Sequence, residues 1–251
     1  MFDLKGKVAL ITGASRGLGW KMAEALAHAG AHVALNARDE MTLGARVSEL
    51  KAKGLSGEAC AFDVTDAAAA EQCVADLTTR HGRFDILVAN AGINHRSPIG
   101  EFELADYRRV VETNQTAVWV LCRAAARQMV PRKQGRIILT GSMSAINSRP
   151  TISAYVAAKG AVHALTKQLA VELGRDGITV NCIAPGYFAT EMNTALVENQ
   201  QFNDWVCNRT PVGRWGRLEE IGPPAVFLAS DEASYVSGLV MTVDGAFTAA
   251  M

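Results

Sequence analysis

The segment Thr12-Gly13-Ala14-Ser15-Arg16-Gly17-Leu18-Gly19 constrains this chain more than any other. It follows an apolar run at residues 8–12 and leads into a stretch of helical period from residue 17. A strand that passes into a helix through three glycines has few uses. One glycine makes the tight turn, one lets the backbone approach a pyrophosphate, and one lets helix and strand pack closely. The helix that starts there offers unpaired N–H groups and the positive end of its dipole to phosphate. The segment therefore reads as a dinucleotide-binding turn lined by Gly13, Ser15, Arg16, Gly17, Leu18 and Gly19, with a merely tight βα turn as the alternative.

The same alternation runs down the chain. Short apolar runs at 8–12, 33–36, 59–62, 86–89, 136–140, 179–183 and 239–243 read as strands buried on both faces. Helical spacing fills 17–29, 40–53, 67–80, 106–130, 153–173 and 218–229. This order predicts an α/β fold, a Rossmann-type doubly wound parallel sheet of about seven strands with helices on both faces. No linker, repeat or low-complexity tract divides residues 1–251, so a single domain is expected. The least regular stretch, 186–217, carries Tyr187, Phe188, Phe202, Trp205 and Trp215. It reads as a substrate lid beyond the strand ends, or alternatively as a surface helix pair with aromatic anchors.

Composition removes whole classes of function. Lys plus Arg equals Asp plus Glu at 25 each, so no electrostatic case exists for nucleic acid or an anionic membrane. No apolar run approaches the ~18 residues of a membrane span. The N-terminus shows no basic segment followed by an apolar one, and the five cysteines form no C-x-x-C, so a reducing, cytoplasmic setting is expected. His28, His32, His81, His95 and His163 show no clustered spacing, and no metal is expected; only His95 lies in a loop that substrate can pass.

Two further patterns carry chemistry. Tyr155 and Lys159 stand at i and i+4 on a predicted helix, hence on one face. A free tyrosine has a pKa near 10, and a neighbouring ammonium moves it toward the range useful for proton transfer. The second strand ends Asn36-Ala37-Arg38-Asp39. An acidic side chain there bonds a ribose 2′-hydroxyl, whereas an arginine accepts a 2′-phosphate. Arg38, with Arg16 as a second side of the clamp and Asn36 beside it, predicts NADP(H) over NAD(H). The alternative gives the acidic role to Asp39.

With the spacing G-x-x-x-G-x-G, Asp63-Val64, Asn90-Ala91-Gly92, Tyr155-x-x-x-Lys159 and Pro185-Gly186, the whole chain resembles the short-chain dehydrogenase/reductase family. The resemblance implies an NAD(P)-dependent oxidoreductase for an alcohol/ketone pair. It implies adenine contacts from Asp63 and Val64, a cofactor wall at Asn90, Ala91 and Gly92, and nicotinamide contacts from Pro185, Gly186, Phe188 and Thr190. Tyr155 and Lys159 would also touch the cofactor. Ser142, thirteen residues before Tyr155, matches the family's catalytic serine, with Ser144 as its competitor. Asn114 matches the asparagine that holds a water linking the lysine to solvent, which completes a catalytic tetrad of Asn114, Ser142, Tyr155 and Lys159. The family commonly has a second Asn at Ala89 and an acidic residue at Ala37.

Residues 94–98, 149–152, 186–192 and 209–216 are similar to one branch of that family, the gluconate 5-dehydrogenases. That similarity implies a sugar acid and its keto form. Arg96 and Arg149, on loops flanking the site, suit a carboxylate, with Tyr187 from the lid; alternatively they are solvated or meet a neighbouring subunit. An apolar or aryl ketone, a 3-oxoacyl thioester, and a non-catalytic dinucleotide sensor are the competing readings. A homotetramer is expected from the family and from the broad apolar coverage of 106–130. The apolar tail from Val240 is expected to pack on another subunit, with Ala246 altering its turn where the family often has Gly-Gly.

Overall fold

In the computed structural model, which describes residues 2–250 and of Met192 the backbone alone, seven parallel strands form one sheet. They are β1 Val8–Thr12, β2 His32–Ala37, β3 Gly57–Ala61, β4 Ile86–Ala89, β5 Gly135–Thr140, β6 Ile178–Pro185 and β7 Val240–Val243. Their spatial order is β3-β2-β1-β4-β5-β6-β7. The chain builds outward from β1 to one edge, then returns to pair β4 on the other side of β1, with Leu10 opposite both Ala34 and Leu87. That reversal leaves a crevice between the C-terminal ends of β1 and β4, where ligands of such sheets bind. Every residue of β1, β4, β5 and β6 is buried, which explains why their sequences are mostly apolar on both faces.

The helices are α1 Gly17–His28, α2 Glu40–Ala52, α3 Ala67–His81, α4 Leu104–Val111, α5 Ala117–Met129, α6 Ser153–Leu173, α7 Thr194–Val197, α8 Gln200–Arg209 and α9 Gly222–Ala229. They enclose two cores, one per sheet face. Leu10, Leu87, Ile137 and Val180 pack under α3, α5 and α6; Ile11, Leu35, Ile86 and Ile138 pack under α1, α2 and α9. Among the described residues no helix is long and apolar enough to cross a membrane.

One expectation needs correction, and two others gain detail. The helix expected over 106–130 is α4 and α5 joined by a π turn at Glu112–Thr116, centred on the wholly buried Asn114. The irregular stretch 186–217 holds two helices, α7 and α8, the second capped by Asn199, whose side chain accepts the Phe202 N–H at 2.9 Å. The tail folds back on its own chain. Phe247 is buried against Tyr187 and Trp205 (centroids 5.5 and 5.8 Å), and Arg209 donates to the Ala250 carbonyl at 2.9 Å. Met251 lies outside the described residues. Gly245 and Ala246 both take positive φ (62° and 68°), so an alanine stands left-handed where the family often has glycine.

Candidate active site

The crevice is floored by the glycine turn. Gly13 and Gly17 have φ of 65° and 58°, which other residues rarely adopt. A Cβ on Gly19 would overlap the Gly13 carbonyl, so the third glycine sets how closely α1 meets β1. The Arg16 side chain makes no cap on α1, and no acidic residue lies in the first turn. Its first N–H groups are thus left for a ligand's acceptors. Thr12 locks the far wall: its hydroxyl accepts the N–H groups of Asn90 and Ala91, both at 3.0 Å, while Asn90 Nδ2 donates to the Thr12 carbonyl at 2.9 Å. Gly92 lies where a side chain would meet Asn114 Oδ1 at 3.2 Å and Lys159 Nζ at 3.7 Å. The wall at Asn90–Gly92 thereby joins the glycine turn to the Tyr155 helix.

At the adenosine end, Arg38 is exposed, its guanidinium 4.0 Å from Asp63 Oδ2. Asp63 Oδ1 accepts the Thr65 N–H and hydroxyl, and these hydrogen bonds hold its carboxyl below the usual range. Val64 is buried beside it. Asp39 is the N-cap of α2, its carboxylate accepting the Met41 N–H at 3.1 Å and the Thr42 hydroxyl, so it is committed to the helix. Arg16 reaches across to Glu191 Oε2 at 3.0 Å.

Two expected contact residues turn their side chains elsewhere. Asn36 is buried and donates to the Cys60 and Phe62 carbonyls (3.1 and 3.0 Å), which ties β2 to β3. Phe188 is a core side chain, its ring pressed on Gly216, where a Cβ would stand 2.7 Å from Cε1. Pro185 ends β6, and Gly186 admits Asp244, whose Cα lies 2.6 Å from where a Cβ would be. The Thr190 methyl lies over the glycine turn, 3.9 Å from the Cβ position of Gly17.

The structure gathers Asn114, Ser142, Tyr155 and Lys159 around the ends of β4 and β5. Lys159 is buried, donates to the Thr140 carbonyl at 2.6 Å, and has Nζ 5.8 Å from the centre of the Tyr155 ring. Burial pulls its ammonium down to about 8. Burial pushes the Tyr155 phenol up, and a hydrogen bond with Ser142 and the charge of Arg149 offset part of that rise. Ser142 Oγ accepts the Ser144 N–H at 3.0 Å, so Ser144 props the serine that meets Tyr155. Asn114 does not aim its amide at Lys159. Its Oδ1 accepts the Ile93 N–H at 2.8 Å and its Nδ2 donates to the Ile93 carbonyl at 2.7 Å, pinning the loop after β4.

Sequence reasoning missed His163. It lies four residues past Lys159 on α6, its Nε2 accepts the Ser142 N–H at 3.4 Å, and it packs on Gly141. The signal was present, since Tyr155, Lys159 and His163 share one face at i, i+4 and i+8.

The mouth carries positive charge. Arg96 sits exposed on the loop after β4, yet it is sheltered enough that burial, reinforced by the charge of Arg149, pulls its guanidinium below the usual range. Arg149 stacks over Phe202 at 5.3 Å, and both arginines act on the phenol of Tyr187, which burial pushes up. A backbone bond from Ser97 N–H to the Thr151 carbonyl, 2.9 Å, fastens the two arginine loops together. Thr151 has φ of 71°, a conformation that costs a β-branched residue about 1–3 kcal/mol. Among the described residues neither arginine has a carboxylate partner, although Asp106 is near enough to hold His95 at 3.4 Å. Above them Tyr187, Phe202, Trp205, Trp215 and Phe247 pack together with ring centroids 5.4–6.4 Å apart, Tyr187 meeting each of the others edge to face. Residues 186–217 thus form a helix pair closed by its own aromatic core.

Comparison with known proteins agrees with this geometry. A family model described as enoyl-(acyl carrier protein) reductase matches residues 13–248. The chain is 45% identical to a gluconate 5-dehydrogenase of Gluconobacter oxydans, over 100% of this chain and 98% of that one. It is 41% identical to a 5-keto-D-gluconate 5-reductase of Escherichia coli, over 100% and 99%. Among solved structures, a gluconate 5-dehydrogenase from Burkholderia cenocepacia in complex with NADP and tartrate superposes with a TM-score of 0.97 at 41% identity, covering 100% of this chain and 98% of that one.

Proposed function

The chain belongs to the short-chain dehydrogenase/reductase family, an oxidoreductase of CH–OH groups, and we propose that it moves a hydride between NADP(H) and a sugar acid of the gluconate/5-ketogluconate type. The observation that carries the substrate class is the pair Arg96 and Arg149, two linked guanidinium groups at the mouth with no acidic partner among the described residues. Two such forks suit a carboxylate. Tartrate, held by the Burkholderia cenocepacia relative, is itself a hydroxy acid.

The dinucleotide fits the crevice: the uncapped start of α1 suits its pyrophosphate, and exposed Arg38 suits a 2′-phosphate. Arg16 would join that clamp by leaving Glu191. Asp63 and Val64 would flank the adenine. Pro185, Gly186, Thr190 and the backbone of Phe188 would border the nicotinamide. When bound, the cofactor supplies or accepts the hydride.

The protein's own residues handle the proton. In reduction Tyr155 gives its hydroxyl proton to the carbonyl oxygen, and the Ser142 hydroxyl donates to the same oxygen as charge develops there. Lys159, protonated and buried within reach of the ring, favours the phenolate that remains. Asn114, in its π turn, would hold a water that returns a proton to Lys159, while its side chain holds the Ile93 loop. Ser144 and His163 position Ser142. A homotetramer is supported by Leu104, Tyr107, Trp119 and Val171, large apolar side chains exposed on α4, α5 and α6.

The test is the rate of NADPH oxidation, with NADH beside it, on 5-ketogluconate and on a simple aryl ketone. Fast turnover of the keto acid with NADPH supports the whole reading. Turnover of the aryl ketone alone would keep Tyr155 chemistry, discard the sugar acid, and turn attention to the aromatic lid.

A further inference from the structure

The histidine spacing in the sequence shows no cluster, yet the fold makes one. His32 opens β2, Glu58 lies in β3, and His81 ends α3. Both imidazoles point Nε2 at the same carboxylate oxygen, Glu58 Oε1, at 3.0 Å from His32 and 2.6 Å from His81. The three ligand atoms lie within 4.8 Å of one another. The two rings lie tilted by 40° with centroids 4.4 Å apart. Each side chain is about a quarter exposed (23%, 26% and 27%), so the cluster is shaped by the fold and still open to solvent.

We propose that His32, Glu58 and His81 form a binding site for a divalent first-row transition ion of the Zn2+ kind, at the end of the sheet remote from the catalytic crevice. Two imidazole nitrogens and one carboxylate oxygen are a zinc ligand set; a hard ion such as Mg2+ or Ca2+ would want oxygens. Tetrahedral bonds of ~2.0–2.2 Å put neighbouring ligand atoms about 3.3 Å apart. The His32–Glu58 separation needs almost no change, and the His81–Glu58 separation must open by about 0.7 Å, within reach of a partly exposed side chain.

The surroundings suit the ion. His32 Nδ1 lies 2.6 Å from Ser56 Oγ. A hydroxyl both donates and accepts, so Ser56 can donate to Nδ1 while Nε2–H faces Glu58. It can equally accept from Nδ1–H when Nε2 holds a metal. Metal-bound histidines are commonly oriented by such a partner on the other nitrogen. Arg80 takes the other oxygen of Glu58, Oε2, at 2.7 Å, which leaves Oε1 to the ion. Its charge opposes a cation there, but the guanidinium is half exposed and can turn to solvent.

The site has a structural use. β3 is an edge strand, and three of its five residues are half-buried or more. One ion would clip that edge to β2 and to the end of α3. Along β2, His32 is about 16 Å from Ala37 at the cofactor end, so occupancy should stabilise the fold without touching the reaction.

Metal-stripped full-length protein is titrated with Zn2+ and, separately, with Co2+. We expect one ion per chain, a Tm rise of about 5 °C or more at a hundredfold excess over Kd, and tetrahedral Co2+ absorption without a thiolate charge-transfer band. His81→Gln should abolish saturable binding, and Ser56→Ala should weaken it about 10- to 100-fold. Cys207→Ser should leave binding unchanged, and the metal-free melting transition of each variant reports its fold. Unaltered Zn2+ affinity in a folded His81→Gln, a thiolate band with Co2+, or no saturable binding by the unsubstituted chain would each overturn the proposal.

Discussion

Removing one of the two mouth arginines should damage the enzyme for acids and spare it for neutral ketones. Arg96 is the cleaner position, because it is exposed and makes no ion pair, whereas Arg149 also stacks on Phe202. A hydrogen bond to a charged group contributes about 1.5–3 kcal/mol. At ~1.4 kcal/mol per decade, Arg96→Ala should lower kcat/KM for 5-ketogluconate about tenfold to 150-fold. The loss should fall mainly on KM, since the carboxylate is bound equally before and during hydride transfer. A neutral six-carbon ketose should lose less than about twofold, because it has no carboxylate for Arg96 to meet. Arg149→Lys keeps the charge and loses the fork, so it should sit between the parent and Arg96→Ala on the acid. The double variant should lose less than the product of the single losses, because both guanidinium groups face one carboxylate. Steady-state kinetics on both substrates, repeated at high salt, measure all of this; screening should shrink the Arg96 effect. Equal losses on acid and neutral ketone would refute the carboxylate assignment and leave the arginines as lid supports.

Four further outcomes are expected. Tyr155→Phe should keep NADPH affinity and lose turnover by several orders of magnitude in single-turnover kinetics; a rate within tenfold of the parent would displace Tyr155. Arg38→Ala should weaken NADPH far more than NADH in fluorescence titration, since the exposed guanidinium has only Asp63 nearby in the free protein. Ala246→Gly should raise Tm by about 2–4 °C, because it removes roughly 1 kcal/mol of left-handed strain at φ 68°. Lys159, held down at about 8 from an ordinary 10.5, binds its proton less tightly when folded, so stability should rise between pH 8 and 10.5. Its burial cost of about 3 kcal/mol is present in full below pH 8, and Lys159→Met should flatten that rise in chemical denaturation.

The sheet was legible because its signals are local. Each strand is a short apolar run, each α/β junction carries its own punctuation, and the strand limits moved by no more than two residues, as at β3. Tyr155 and Lys159 were legible for the same reason: one helical turn fixes their relation. Most of the unseen features join distant segments. Phe247 reaches Trp205 on α8 from some forty residues beyond that helix, and His32, Glu58 and His81 meet only because β2, β3 and α3 do. The linkage of the arginine loops rests on one backbone bond between Ser97 and Thr151, which side-chain pattern does not encode.

Asn114 shows why even a local feature escaped. The apolar residues Val110, Ala117, Val118 and Leu121 keep a spacing that one continuous helix satisfies, so periodicity has nothing to report across the π turn. The informative fact is chemical. A wholly buried asparagine needs partners for both ends of its amide, and a regular helix offers no free backbone pair to supply them. Ile93, on the loop after β4, supplies the N–H and the carbonyl together. An extra residue in the turn lets the amide reach that loop while α5 resumes its packing. The buried polar residue on the helix's core-facing side therefore marks where the helix departs from its period, and it marks the wall of the crevice.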